Sequence, residues 1–269
     1  ARGVRERGPE VPAAARTEEE EAAAAVAFAD DRMIKIDRGA FTLGCRSRRE
    51  PQCERDEFPA RRIRVDSFAI DRYEVTWQEY AGCVAAGACS KVARARCNAW
   101  TGESFALGAE IPAAFLGPEQ PVVCATWTQA AEFCAWAGKR LTTEAEWERA
   151  ARGGAARRFP WGDEPPTCER AQTYECGYVT APVGSHPAGA SPEGVHDLAG
   201  NVAEWVHDWY GKRSYRYLGR HNPTGFDRGE VRVVRGGSFY DGHGSLRASY
   251  RYGLSPQFGY GTVGFRCAR

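Results

Sequence analysis

The chain has 269 residues, 36 of them basic and 35 acidic, for a formal net charge of +1. Nucleic-acid binders show a basic excess or stripe, so a polyanion partner is not expected. No run approaches the roughly 18 apolar residues of a membrane span, so no transmembrane segment is expected either.

Residues 1–32 mix Pro, Ala and a four-Glu run with almost no aromatics. They read as a flexible, acidic, Ala-rich tail with a short helix expected over Glu18–Phe28. The sequence opens at Ala1 rather than Met, which leaves open whether a signal or anchor was removed ahead of it. From Met33 apolar and aromatic residues return without a clear break, which predicts one domain over 33–269 with no internal repeat. Strands are predicted at 33–36, 40–44 and 61–70. Three helices follow, each opened by a capping box: Thr76 with Glu79, Thr126 with Gln129, and Thr143 with Glu146. Gly138 is expected as a left-handed terminator of the second, and Gly153 with Gly154 of the third. Residues 155–230 show little periodicity and read as loop, with strands again predicted at 231–236 and 264–268. The fold class expected is α+β: a single loop-rich domain, low in regular secondary structure and disulfide-bonded.

Ten cysteines are present and none lies in a CxxC pair, which weakens zinc-ribbon and thioredoxin readings. Their even number and short gaps suit disulfide-closed loops. Spacing pairs Cys45 with Cys53, Cys83 with Cys89, Cys97 with Cys124 and Cys168 with Cys176. Such bridges need an oxidising compartment, so an extracytoplasmic location is expected: periplasmic, secreted or cell-surface.

Near the C-terminus, RGGSFYDGHGSLRASYR places Ser238, Asp241 and His243 in one Gly-rich loop. These are the candidate catalytic residues, as an acid–base pair or as ligands of a metal that would need a further donor. The alternative is a polar turn in which Gly242 and Gly244 supply positive φ. GGS lacks the strand–elbow–helix context of an esterase nucleophile, and both phosphate-loop signatures are missing. Phe239, Tyr240, Arg247, Tyr250 and Arg251 are candidate liners of a groove for a peptide, protein or carbohydrate ligand. Their alternative is core packing.

GAFTLG (39–44), IDRYEVTWQEYAGC (70–83) and PVVCATWTQAAEFCAWAGKRLTTEAEWERAARGG (121–154) are followed by FPWGDE (159–164), LAGNVAEWVHDWYG (198–211), RVVRGGSF (232–239) and VGFRCAR (263–269). In this order the motifs resemble the formylglycine-generating enzyme, or sulfatase-modifying factor, family. The resemblance implies an elaborated C-type-lectin fold and a Cys134–Cys267 bridge. It implies a structural calcium held by the side chains of Asp197 and Glu204 and the carbonyls of Gly200 and Val202, a hard-oxygen set that suits Ca²⁺. It also implies copper(I) on two thiolates, but those positions fall on Asp241 and Leu246. Without soft sulfur ligands a copper site is not expected. The five histidines carry no HxxxHxE motif, which removes the iron-dependent sulfoxide-synthase branch. The function expected is a ligand- or partner-binding member lacking the copper–thiolate site, a pseudoenzyme candidate. Its alternatives are an oxidase-type enzyme of the same family, non-haem metal dependent through Asp241 and His243, and a purely structural surface domain.

Overall fold

The computed structural model describes residues 32–46 and 52–269. The expected tail and its Glu18–Phe28 helix lie outside the described residues, apart from Arg32.

Strands β1 (Met33–Ile36), β2 (Gly39–Leu43), β3 (Arg61–Val65) and β4 (Phe68–Asp71) precede helix α1 (Trp77–Ala85). β5 (Cys97–Trp100) and β6 (Phe105–Leu107) lead to α2 (Trp127–Trp136), the short β7 (Arg140–Leu141) and α3 (Glu144–Arg152). The rest of the chain supplies β8 (Ala203–Trp209), β9 (Arg232–Arg235), β10 (Arg251–Leu254), β11 (Gly259–Tyr260), β12 (Val263–Phe265) and β13 (Cys267–Ala268).

The helices start where local chemistry puts them. Each cap threonine accepts the N–H three residues on and receives the reciprocal side-chain bond, as in Thr76 N–H to Glu79 at 2.8 Å and Thr143 N–H to Glu146 at 2.9 Å. Gly138 and Gly153 take φ of 69° and 63°, in the region an L side chain avoids.

The strands pair in the orders β1-β4-β13-β7, β10-β9-β8-β12 and β11-β5-β6, with β2-β3 as a separate hairpin. The single strand expected over 61–70 is two strands in different sheets. Asp66 and Ser67 break it, because Asp66 leaves the ladder to exchange hydrogen bonds with Asn222 at 2.9 and 2.8 Å. The strand expected over 264–268 likewise splits into β12 and β13 at Arg266, whose side chain turns inward and is fully buried. The stretch 155–230, expected as loop, holds β8, which lies between β9 and β12. All of β8 except His207 and Trp209 is buried, so it lacks the alternation that marks a half-exposed strand.

The interior is ionic as well as apolar. Arg235, Arg251 and Arg266 are at most 2% exposed, as deep as Trp147, Trp205 and Phe265. Buried guanidinium groups persist only when paired, and Glu144, Glu148 and Glu204 pair them. Five disulfides join Cys45–Cys53, Cys83–Cys89, Cys97–Cys124, Cys134–Cys267 and Cys168–Cys176, the pairs named above. No cysteine is free among the described residues. No described helix is long and apolar enough to cross a membrane.

Candidate functional site

The Gly-rich loop runs between β9 and β10. At its base Arg235 donates to the carbonyls of Ala248 at 2.6 Å and Ser249 at 3.1 Å, and pairs with Glu148 of α3. One side chain on the incoming strand therefore closes the loop onto the outgoing one. Gly237 has φ +67°, and a Cβ there would lie 2.8 Å from the Ser245 carbonyl oxygen. The loop crosses itself at that point, which only glycine permits.

Within the loop, Ser238 and Asp241 make a closed turn. The Ser238 hydroxyl and N–H both donate to Asp241 Oδ2, at 2.7 and 2.9 Å, and Asp241 N–H donates back to the Ser238 carbonyl at 3.0 Å. Ser238 is fully buried. Burial raises the Asp241 carboxyl, while the Ser238 bonds pull it back. His243 does not join this pair; its Nε2 lies 3.4 Å from Glu175 Oε2, and Tyr174 donates its hydroxyl to the other Glu175 oxygen at 3.0 Å. Leu246 is fully buried in a cluster with Phe159 and Ala199, with Trp161 packed against it.

Three expected groove residues are corrected. Phe239 is fully buried, edge-to-face on Phe115 at 5.1 Å. Arg247 is engaged with both Glu57 oxygens at 2.7 and 2.6 Å, and Arg251 with both Glu144 oxygens at 2.6 and 2.9 Å. An arginine so bound inside the protein does not offer its fork to a ligand. Tyr250 is half-buried near Tyr252, with ring centroids 5.8 Å apart. Tyr240 is the expected groove residue that stands out into solvent, at 40% exposure.

Tyr240 does so in company that sequence reasoning missed. Its ring meets Phe105 at 4.9 Å, Trp100 at 5.0 Å and Tyr178 at 5.5 Å. Tyr174 lies beside the loop at Gly242, where a Cβ would be 3.4 Å from its ring. Tyr174 and Glu175 lie in the loop closed by Cys168–Cys176, with Tyr178 just beyond it. The rings come from segments distant in sequence, so no local spacing marks them; the exposed YECGY stretch was the available signal.

The first part of DLAGNVAEW forms an irregular loop ahead of β8, with Asp197, Gly200 and Asn201 all at positive φ. Glu204, expected as a calcium ligand, is already engaged. Its two oxygens take the Arg266 Nε and Nη2 at 2.7–3.0 Å and the Trp147 Nε1 at 2.8 Å. Asp197 is buried and accepts the Gly184 N–H at 2.6 Å through Oδ2. Glu74, unmarked in the sequence, is fully buried and accepts from Asn201 Nδ2 at 2.7 Å and Val202 N–H at 3.1 Å. Burial, then the charges of Asp197 and Glu204, push the Glu74 carboxyl well above its usual range; burial also raises Asp197. The Val202 N–H and the Asn201 amide thus sit against a crowded carboxylate.

A separate cleft of about 350 Å³ between β3, β7 and β8 is lined by Asp66, Arg140, Glu146, His207 and Asn222 among others. Its Arg140 and Glu146 already hold each other bidentately at 2.7 Å.

The model of the sulfatase-modifying factor enzyme 1-like domain matches residues 18–269. The serine/threonine-protein kinase pkn1 of Chlamydia caviae is 35% identical over 246 residues, covering 88% of this chain and 38% of that protein. The chain therefore spans little more than a third of that relative's length. The formylglycine-generating enzyme of Thermomonospora curvata is 33% identical over 291 residues, covering 88% of this chain and 92% of that enzyme. The solved structure of PvdO from Pseudomonas aeruginosa superposes with a TM-score of 0.75 at 32% identity, covering 88% and 93% of the two chains. On sequence and fold together, the chain belongs to the sulfatase-modifying factor enzyme 1-like domain family.

Proposed function

We propose that this chain is an extracytoplasmic ligand-binding member of its family without a copper–thiolate centre. One observation carries the reading: the two positions that the family resemblance assigns to thiolates hold Asp241, closed onto Ser238, and Leu246, packed on Phe159. A leucine has no donor atom, and a carboxylate oxygen is a hard ligand poorly matched to copper(I). The five disulfides support an oxidising compartment. The exposed rings around Tyr240 supply the binding surface. The test is incubation with copper(I), oxygen and a Cys-x-Pro-x-Arg peptide. No aldehyde is expected, and formylglycine formation would overturn the reading. So would stoichiometric iron or copper binding abolished by His243→Ala.

Calcium is proposed as a structural ion at Asp197 and Glu204, with Glu74 beside them. The support is crowding: three buried carboxylates (Glu74, Asp197, Glu204) act on one buried guanidinium, Arg266, and their burial and mutual repulsion raise the Glu74 and Asp197 carboxyls. A divalent hard cation would relieve that repulsion, with the Gly200 and Val202 carbonyls that the family resemblance implies as further donors. Its role there would be to fix the loop, not to react.

A further inference from the structure

We propose that Cys168–Cys176 is a thiol–disulfide exchange site, opened by an external thiol, and that its opening releases Tyr174 and Glu175 from their contacts with the Gly-rich loop. The inference goes beyond the ligand-binding reading and does not depend on what that loop holds. Exchange needs access to one sulfur and a second sulfur that leaves readily as thiolate. Exposure singles this bridge out. Cys168 is exposed and Cys176 half-buried. Each of the other four bridges contains a cysteine at most 1% exposed: Cys45, Cys83, Cys97 and Cys134.

Thr173 meets the second condition. Its hydroxyl lies 3.5 Å from Cys176 Sγ, and a disulfide sulfur carries no proton, so the hydroxyl is the donor. A hydrogen bond of this kind strengthens when its acceptor becomes an anion. A thiolate RS⁻ attacks Cys168 Sγ, the S–S bond breaks, and its electron pair leaves on Cys176. A second RS⁻ attacks the RS sulfur of the mixed disulfide, frees the Cys168 thiolate and departs as RSSR. The two protons given up by the thiols end on the two cysteines, and two electrons have passed to the bridge. Cys45–Cys53 is the rival, because Cys53 is half-buried with the Arg247 guanidinium 3.9 Å from its sulfur. That guanidinium favours Cys53 as the leaving thiolate, which requires attack on Cys45, the 1%-exposed partner. Attack on Cys53 instead expels Cys45, and burial makes it a poor leaving thiolate.

The opening stays local. The Arg170 and Ala171 N–H groups both donate to the Thr167 carbonyl, at 2.9 and 3.0 Å, and the Gln172 side chain donates to the Val179 carbonyl at 2.9 Å. These bonds hold both arms of the loop independently of the bridge. The tip between the arms carries Tyr174, whose ring would lie 3.4 Å from a Cβ at Gly242, and Glu175, 3.4 Å from His243 Nε2. Without the cross-link that tip gains freedom, and the Gly-rich loop loses its neighbour on that side.

The experiment exposes the intact chain to dithiothreitol without denaturant and alkylates it at intervals, each cysteine being read by peptide mass spectrometry. Cys168 and Cys176 should be labelled together, at least about tenfold faster than the other eight. With glutathione as the thiol, acid quenching should trap the adduct on Cys168. Thr173→Val should slow opening several-fold and Thr173→Ser should restore it. Backbone hydrogen exchange should rise on reduction at 173–177 and 241–244 and stay unchanged in the sheets. Another bridge opening first, all five opening together, an adduct on Cys176, a Thr173→Val rate equal to wild type, or unchanged exchange at 241–244 would overturn the proposal. The labelling, adduct and hydrogen-exchange arms use the wild-type chain, so they decide the matter even if Thr173→Val fails to fold.

Discussion

Arg247 meets Glu57 as a fork, Nη1 on one carboxylate oxygen at 2.7 Å and Nη2 on the other at 2.6 Å, across 190 residues of sequence. Burial raises the Glu57 carboxyl, but the bonds and charge of Arg247 outweigh it and hold the group below its usual value. Glu57→Gln leaves a buried guanidinium uncompensated and should cost about 3–5 kcal/mol in urea unfolding. The wild-type advantage should persist above the ordinary carboxylate range and fade as pH falls through the depressed value, since a lowered native pKa stabilises only while the group is ionised. A cost that is independent of pH would show that the pair is not the cause.

Asp208 titrates in the opposite sense. Burial, followed by the charge of Glu144, pushes its carboxyl up to about 8, against about 3.9 in an unfolded chain. Between those values the unfolded state has lost the proton that the native state keeps, so this group makes stability fall as pH rises. Asp208→Asn should match wild type near pH 4 and exceed it near pH 8, read as the difference between two unfolding series. Asparagine retains an acceptor for the Glu144 N–H that Asp208 now receives at 2.8 Å.

Ser238 is expected to be chemically silent. Its hydroxyl is fully buried and donates to Asp241. A fluorophosphonate should leave it unlabelled. Ser238→Ala should lower stability by about 1–3 kcal/mol, since it removes the bond to Asp241 and the one accepted from the Tyr240 N–H. Stoichiometric labelling of Ser238 would reverse this assignment.

The bridges should differ in weight. Cys134–Cys267 spans 133 residues and Cys83–Cys89 spans 6. Loop-closure entropy gives about 5 kcal/mol for the first and about 2 kcal/mol for the second. Paired Cys→Ala variants compared by chemical denaturation should follow that order.

Added calcium should raise the melting temperature of the wild type, because an ion that binds only the native state stabilises it by mass action. Asp197→Asn and Glu74→Gln should each remove most of that gain. An unchanged gain in both variants would place any calcium elsewhere.

What was legible in the sequence was local. Thr76 with Glu79, Thr126 with Gln129 and Thr143 with Glu146 specify helix starts within four residues, and the helices begin there. β8 was missed because burial on both faces erases the period-2 signal. Arg247 and Arg251 were read as ligand-facing because their partners lie 190 and 107 residues away. Trp100 and Tyr178 were missed for the same reason: they meet Tyr240 only after the sheets assemble. Glu74 sits in IDRYEVTWQEYAGC, a motif read for its family resemblance, and its burial against Asn201 and Val202 is a tertiary fact.

Arg235 closes the Gly-rich loop from below, bonding to the Ala248 and Ser249 carbonyls without contacting the loop's outward side chains. The scaffold is therefore indifferent to what the exposed positions carry. Tyr240 and His243 can be rewritten without disturbing the stem, much as an interchangeable tool head fits one handle. Such an arrangement lets a lineage exchange one ligand for another, or chemistry for recognition, through a few surface substitutions while the buried arginine pairs stay as they are.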